Sequence, residues 1–236
     1  MLLSSEDITL QISELLTDKE KILLSMVSKL IDKLKHKFIF REKINMIRIK
    51  NLPYFNNFEF VEITDTMLKL GLATCVPNNI KYVHHKAHTI NIIPFATHVT
   101  FGSLFNQSIK DSIPRSATHL TFGDSFNQLI TSMTSPGHII QHIPNSVTHL
   151  EFGCDFNQSI KNAIPNSVTH LTFGDYFFQQ ISGCIPDSVT NLKIGWYYGQ
   201  QISIPQSVTQ ILLPMGYNKR ITCNPTTKIL FYDRCH

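Results

Sequence analysis

The sequence lacks most of what catalysis, extracellular folding or membrane insertion would require. Among its 236 residues there is no Gly-x-Ser-x-Gly elbow, no phosphate-binding glycine loop and no separate pair of carboxylates, so neither an enzyme nor a cofactor is expected. The five cysteines (Cys75, Cys154, Cys184, Cys223, Cys235) are odd in number and contain no Cys-x-x-Cys. With no secretory leader after Met1, they read as small apolar fillers in a reduced, intracellular and cytoplasmic setting. No apolar run is long enough to span a bilayer, so no membrane partner is expected. Basic residues are also missing where nucleic-acid binding would need them. The net charge is +4, and residues 1–50 hold ten Lys/Arg against seven Asp/Glu, leaving eleven against ten for the rest. The stretch Lys29–Lys50 carries eight bases and two acids, which suits a solvated helix surface better than a nucleic-acid footprint.

What the chain does have is one phrase repeated. Ile164-Pro165-Asn166-Ser167-Val168-Thr169-His170-Leu171-Thr172-Phe173-Gly174 is echoed from Ile93-Pro94, Ile113-Pro114, Ile143-Pro144, Ile185-Pro186 and Ile204-Pro205, with gaps between prolines of 20, 30, 21, 21 and 19 residues. A period near 21 implies stacked coils that bury their apolar faces only against one another. Val168, Leu171 and Phe173 have V-x-x-L-x-F spacing, and Leu171-Thr172-Phe173 alternates with period two. One short parallel strand per coil is therefore expected, centred on Val99, Leu120, Leu150, Leu171, Leu192 and Ile211. Pro165 belongs in the turn before the strand and Gly174 in a sharp bend after it. The 30-residue gap holds Ser132–His138, read as a loop bulging from its coil.

A second signature, Phe-Asn-Gln, stands at Phe105-Asn106-Gln107, Phe126-Asn127-Gln128 and Phe156-Asn157-Gln158. It decays to Phe177-Phe178-Gln179, Tyr198-Gly199-Gln200 and Tyr217-Asn218-Lys219. Isoleucine follows four residues after each aromatic (Ile109, Ile130, Ile160, Ile181, Ile202, Ile221), so aromatic and isoleucine fill the far side of the coil while asparagine amides bond backbone groups at the turn. Phe-Asn-Gln with Ile-Pro at this period resembles the FNIP repeat of amoebae and of the large DNA viruses that infect them. Over residues 76–232 the resemblance implies a leucine-rich-repeat-like solenoid. Val76–Val83 reads as a shortened first unit and Asn224–Phe231 as a compressed last one, both expected to act as caps. Ile44, Ile47 and Ile49 suggest a diverged early coil, whereas residues 51–75 carry no clear pattern.

The first forty residues follow a different pattern. Ser4–Asp7 reads as a helix start, and Thr17-Asp18-Lys19-Glu20 is a T-x-x-E capping box opening a second helix. Leu23, Val27, Leu30, Ile31 and Leu34 then recur at helical spacing. The order Asp7-Ile8, Leu15–Lys21, Val27-Ser28-Lys29 and Leu34 resembles an F-box over residues 3–40, without that family's opening Leu-Pro and with Ile31 where an aromatic residue is usual. The expected class is thus α+β, with an F-box-like helical module at 1–43 and a repeat solenoid at 44–236 (clear repeats about 93–222). The resemblance implies docking on the Skp adaptor of a cullin-type ubiquitin ligase through Ile8, Leu10, Ile12, Leu15, Leu16, Leu23 and Val27. For a viral chain, the setting would be the host cell.

The strands also define a target-binding face, expected to be concave. One outward column is His98, His119, His149, His170 and Asn191; its neighbour is Thr100, Thr121, Glu151, Thr172 and Lys193. The histidines recur because the repeat recurs, and no carboxylate accompanies each to orient it, so no metal site is expected. His138 and His142 share i, i+4 spacing but lack the glutamate of a zinc-protease helix. The leading reading is a substrate-recognition adaptor of a ubiquitin ligase. The other is a stand-alone interaction scaffold whose N-terminal helices only cap the solenoid.

Overall fold

The computed structural model describes residues 4–71, 76–135 and 138–233. The chain separates into two compact units, Met1–His84 and His85–His236.

Three short helices open the first unit. Helix α1 (Ser5–Glu14) begins at Ser4, whose hydroxyl accepts from Asp7 N while the Asp7 carboxylate returns to the Ser4 backbone. Thr17 and Glu20 make the same reciprocal pair at the start of α2 (Asp18–Ser25), as the T-x-x-E spacing requires. A third cap, Ser28, breaks what reads in sequence as one continuous helical pattern and starts α3 (Lys29–Leu34). Helix α2 is held to the following chain by a buried charge. Lys21, 1% exposed, donates to Ile39 O at 2.6 Å and to Asp18 at 3.2 Å, and Asp18 also accepts from the backbone N–H groups of Arg41 and Glu42. Every polar atom of that pair has a partner, the condition under which a buried charge is tolerated.

Below the helices, Phe38, Phe40, Met46, Ile49, Phe58, Val61 and Ile63 form a core, with Phe40 and Phe58 stacked at 4.7 Å. Strand β1 (Ile44–Asn45) pairs in parallel with β2 (Phe60–Thr64), which leads into α4 (Asp65–Lys69). The early-coil reading of Ile44, Ile47 and Ile49 holds for Ile44, which lies in a parallel strand, but not for the rest of the spacing. The chain turns into a single 3-10 turn at Met46–Arg48, burying Met46 and Ile49 and exposing Ile47. The alternation Val61-Glu62-Ile63 within the seemingly patternless stretch is the strand that β1 pairs with.

Strand β3 (Tyr82–Ala87) carries the chain into the second unit, a β-solenoid. The repeat strands are β4 (His98–Phe101), β5 (His119–Thr121), β8 (His149–Glu151), β9 (His170–Thr172), β10 (Asn191–Lys193), β12 (Gln210–Pro214) and β14 (Lys228–Tyr232). They lie side by side in that order, all parallel, with equivalent letters of the repeat in register: Leu120 opposite Leu150, Leu150 opposite Leu171, Leu192 opposite Ile211. The expected strand centres all lie in this sheet.

Each letter of the phrase has a visible task. The valine N–H bonds the proline carbonyl three residues earlier, closing the entry turn (Val168 N to Pro165 O, 3.1 Å). The serine hydroxyl bonds the previous coil, Ser167 to Val147 O and Ser188 to Val168 O, both at 2.7 Å. Valine, leucine and the strand phenylalanine point inward and are fully buried. Inside, each strand phenylalanine stacks on the Phe-Asn-Gln phenylalanine of its own coil (Phe122 on Phe126 at 3.9 Å, Phe152 on Phe156 at 3.8 Å) and on its counterparts above and below. The asparagines form the expected ladder: Asn127 Oδ1 accepts from Asn157 N and from Gln158 Nε2, and Asn157 Oδ1 does the same for Phe178 N and Gln179 Nε2.

Three details differ from the sequence reading. The glycines after the strands do not bend the chain through a left-handed φ. They let coils touch, since a Cβ on Gly153 would lie 2.2 Å from Gly123 O. The left-handed place is elsewhere, at Asp111, Asn162 and Gly183, all residue types that tolerate it. Ser132–His138 is not a plain loop, because Thr131–Ser135 (β6) pairs antiparallel with His138–Gln141 (β7); Pro136 and Gly137 lie outside the described residues. Finally, β14 keeps the inward register, Ile229 against Ile211 and Phe231 against Leu213. Ile229 and Phe231 are nonetheless 39% and 54% exposed, so this last coil does not hide the apolar face as a cap would. The remaining short strands, β11 (Ile202–Ser203) and β13 (Ile221–Thr222), pair with each other away from the main sheet.

Candidate protein-binding faces

Two faces present the residues singled out by sequence, one on each unit. On the helices, Ile8, Ile12, Leu15, Leu23 and Val27 are exposed and Leu10 and Leu16 half-buried. Leu15 is 87% and Val27 74% exposed. The structure adds Ile22, Met26 and Leu30 to this exposed apolar set. Their character was legible, but which side of each short helix faces the core was not. Arg41 pairs with Glu14 and with Glu59, so part of the basic stretch after α3 makes ion pairs within its own unit.

On the sheet, the two outward columns stand as the period-two pattern requires. The four histidines form a continuous stack: His98 on His119, His119 on His149 and His149 on His170, each with ring centroids 4.1 Å apart and planes within 11–13°. Each ring is fixed by the threonine before it, with Thr118, Thr148 and Thr169 Oγ1 at 2.9–3.0 Å from Nδ1 of His119, His149 and His170. The same three hydroxyls lie 3.1 Å from the preceding coil's threonine carbonyl. The His149 pKa is pushed down to about 4, first by burial and then by the charges His119 and His170 would carry. His119 is lowered by burial first, then by His98 and His170.

In the second column Thr121, Glu151 and Thr172 follow one another, with Thr100 before and Lys193 after. The Lys193 ammonium sits 4.9 Å from the ring centre of Tyr232, whose hydroxyl donates to Ile194 O. A shallow groove of about 300 Å³ runs between the columns, lined by His119, Thr121, His149, Glu151, His170 and Thr172. Beyond the strands, Tyr176 and Tyr197 stack at 5.2 Å and are partly exposed. Sequence reasoning passed over these aromatics because they fall one place outside the repeating letters. Cys154, where the groove extends, is a free thiol whose pKa is raised by burial and by its hydrogen bond to Asp124. Cys184 and Cys223 are likewise free and half-buried, and Cys75 and Cys235 lie outside the described residues. No cluster able to hold a metal ion occurs among the described residues, nor is any described helix long and apolar enough to cross a membrane.

Short parallel strands stacked one per repeat, closed by turns and filled with phenylalanine, define a β-solenoid repeat protein with its polar columns turned outward. The FNIP Repeat family model matches residues 105–155, 138–176, 156–195 and 179–214, so the coils between 105 and 214 are FNIP repeats. The chain is also 37% identical over 91 residues to a protein of Acanthamoeba polyphaga mimivirus named as a putative F-box protein. That match covers 39% of this chain and 65% of the viral protein. No solved structure matches the chain.

Proposed function

We propose that this protein is a non-catalytic, cytoplasmic substrate-recognition subunit of a cullin-type ubiquitin ligase. Its N-terminal helices dock on the Skp adaptor, and the outward face of the FNIP sheet holds the protein to be modified. The observation that carries the reading is the apolar surface of α1–α3, where Leu15, Met26 and Val27 are each about three-quarters exposed or more. Apolar side chains so placed on neighbouring short helices mark a surface that another protein covers. The mimivirus relative, by its name, supports the F-box assignment.

The test uses the whole chain. Leu15→Asp with Val27→Asp touches only exposed side chains, so the melting temperature should hold while co-purification with a co-expressed Skp adaptor is lost. If the double variant unfolds instead, the helices are a structural cover and the stand-alone scaffold becomes the better account.

A further inference from the structure

The threonine–histidine pairs dictate what kind of partner the sheet face can recognise. A threonine hydroxyl has one proton, and a carbonyl oxygen can only accept. Thr118, Thr148 and Thr169 each lie 3.1 Å from such a carbonyl. They satisfy both neighbours only by donating to the carbonyl and accepting from histidine Nδ1–H. That assigns the Nδ1–H tautomer to His119, His149 and His170 and leaves each Nε2 with a lone pair at the far edge of its ring. Among the described residues, none of these three Nε2 atoms has a hydrogen-bonding partner, and the Glu151 carboxylate beside them has no cationic one. The groove is therefore lined chiefly by acceptors, three imidazole nitrogens and a carboxylate, beside the Thr121 and Thr172 hydroxyls, which can donate or accept. Asp124 and Asp175 extend it, while Lys193, the nearest cation on the strands, is turned onto Tyr232.

We propose that this groove is the specificity site for a basic α-helical segment of the target protein, whose Lys or Arg side chains donate to the histidine ladder and to Glu151. This rests on the sheet face being the target-binding face. Helical geometry follows from spacing. Coils recur about every 4.8 Å, and one face of a helix offers side chains about every 5.4 Å. An extended strand presents same-side residues nearly 7 Å apart and falls out of step within two rungs. Protonating His119 or His149, both held below the ordinary imidazole value by burial, turns its Nε2 from acceptor to donor and its ring from neutral to cationic, so binding weakens as pH falls. The other charged and titratable groups of the face are His98, Glu151, Lys193 and Lys228 on the repeat strands, with Asp124 and Asp175 where the groove extends, and the three carboxylates oppose a rise in positive charge.

Two measurements on the full chain test the proposal. Long-range ¹H–¹⁵N correlation of the histidine rings at neutral pH reports the tautomer, and protonated Nε2 on His149 would overturn the assignment. Selection from a phage-displayed library of α-helical peptides should enrich Lys/Arg at i, i+4 and i+7. The enriched peptides should bind about tenfold more weakly to Glu151→Gln and to His149→Asn, the latter leaving in place the residue type that Asn191 already supplies in this column. Affinity should fall by a similar factor of about ten between pH 7.5 and 4, the value to which His149 is pushed down. Enrichment of acidic or apolar helices that still depend on His149 would sink the proposed chemistry while leaving the face as the target site. If no selected peptide responds to either substitution, both the chemistry and the face are wrong.

Discussion

At the scale of single residues, the inner phenylalanines and outward histidines are held by opposite requirements. Phe173 is closed in by Phe152, Phe177 and the coils on either side, so Phe173→Ala should cost roughly 3–5 kcal/mol in a denaturation experiment. Gly153→Ala should also be severe although it adds a single methyl group, because that carbon would meet Gly123 O at 2.2 Å and neither backbone can yield. The histidine ladder should be visible in the pH dependence of stability. His149 titrates at about 4 in the folded chain, against an ordinary value of 6.5. Between those values the unfolded chain binds more protons, so stability is present above about pH 6.5 and is lost as pH falls toward 4. Melting temperatures from pH 7.5 to 4.5 should show a decline that is shallower in His149→Asn.

At the scale of one element, a coil is a strand, a glycine contact, an aromatic rung and an amide rung, each repeated at the same height. Asn127→Ala removes the acceptor for Asn157 N and Gln158 Nε2 and should cost about 1–2 kcal/mol by thermal unfolding, the usual loss for polar groups left without a partner. The β6–β7 hairpin is an insertion into such a unit. Removing residues 132–140 turns a 30-residue gap into one of 21 and puts Thr131, Gln141 and His142 where another coil has Lys110, Asp111 and Ser112. With Gln141→Asn to suit the left-handed place seen at Asp111 and Asn162, the shortened chain should keep its circular dichroism and cooperative melt. A molten product would show that the hairpin is required by the fold. The hairpin was not legible because Thr131–Gln141 carries no strong strand alternation; antiparallel pairing of β6 with β7, rather than composition, makes it a strand pair.

At the scale of the whole molecule, stability is distributed by neighbours. Interior coils are covered on both sides, whereas β14 is covered by β12 alone and leaves Ile229 and Phe231 open. In a stack of nearest-neighbour interfaces the ends open first. Hydrogen exchange should therefore be fastest in β14 and slowest near β8 and β9, and Phe231→Thr should destabilise far less than Phe173→Ala. Uniform exchange along the sheet would contradict this picture.

The sequence by itself determined the solenoid, because a phrase recurring every twenty-one residues allows its inward letters one arrangement, equivalent residue over equivalent residue. It determined the outward columns for the same reason, since alternation within a strand has period two, and it marked the helix starts through the Ser4 and Thr17 caps. Only tertiary structure decided what those columns are chemically. The spacing of His119, His149 and His170 says that imidazoles stack, but the threonine hydroxyl held between a carbonyl and each Nδ1 decides which ring edge accepts. Tertiary structure also decided that Ile47 turns outward while Met46 and Ile49 turn in. That choice depends on β2, sixteen residues away along the chain from Ile44 to Phe60, and no local pattern could report it.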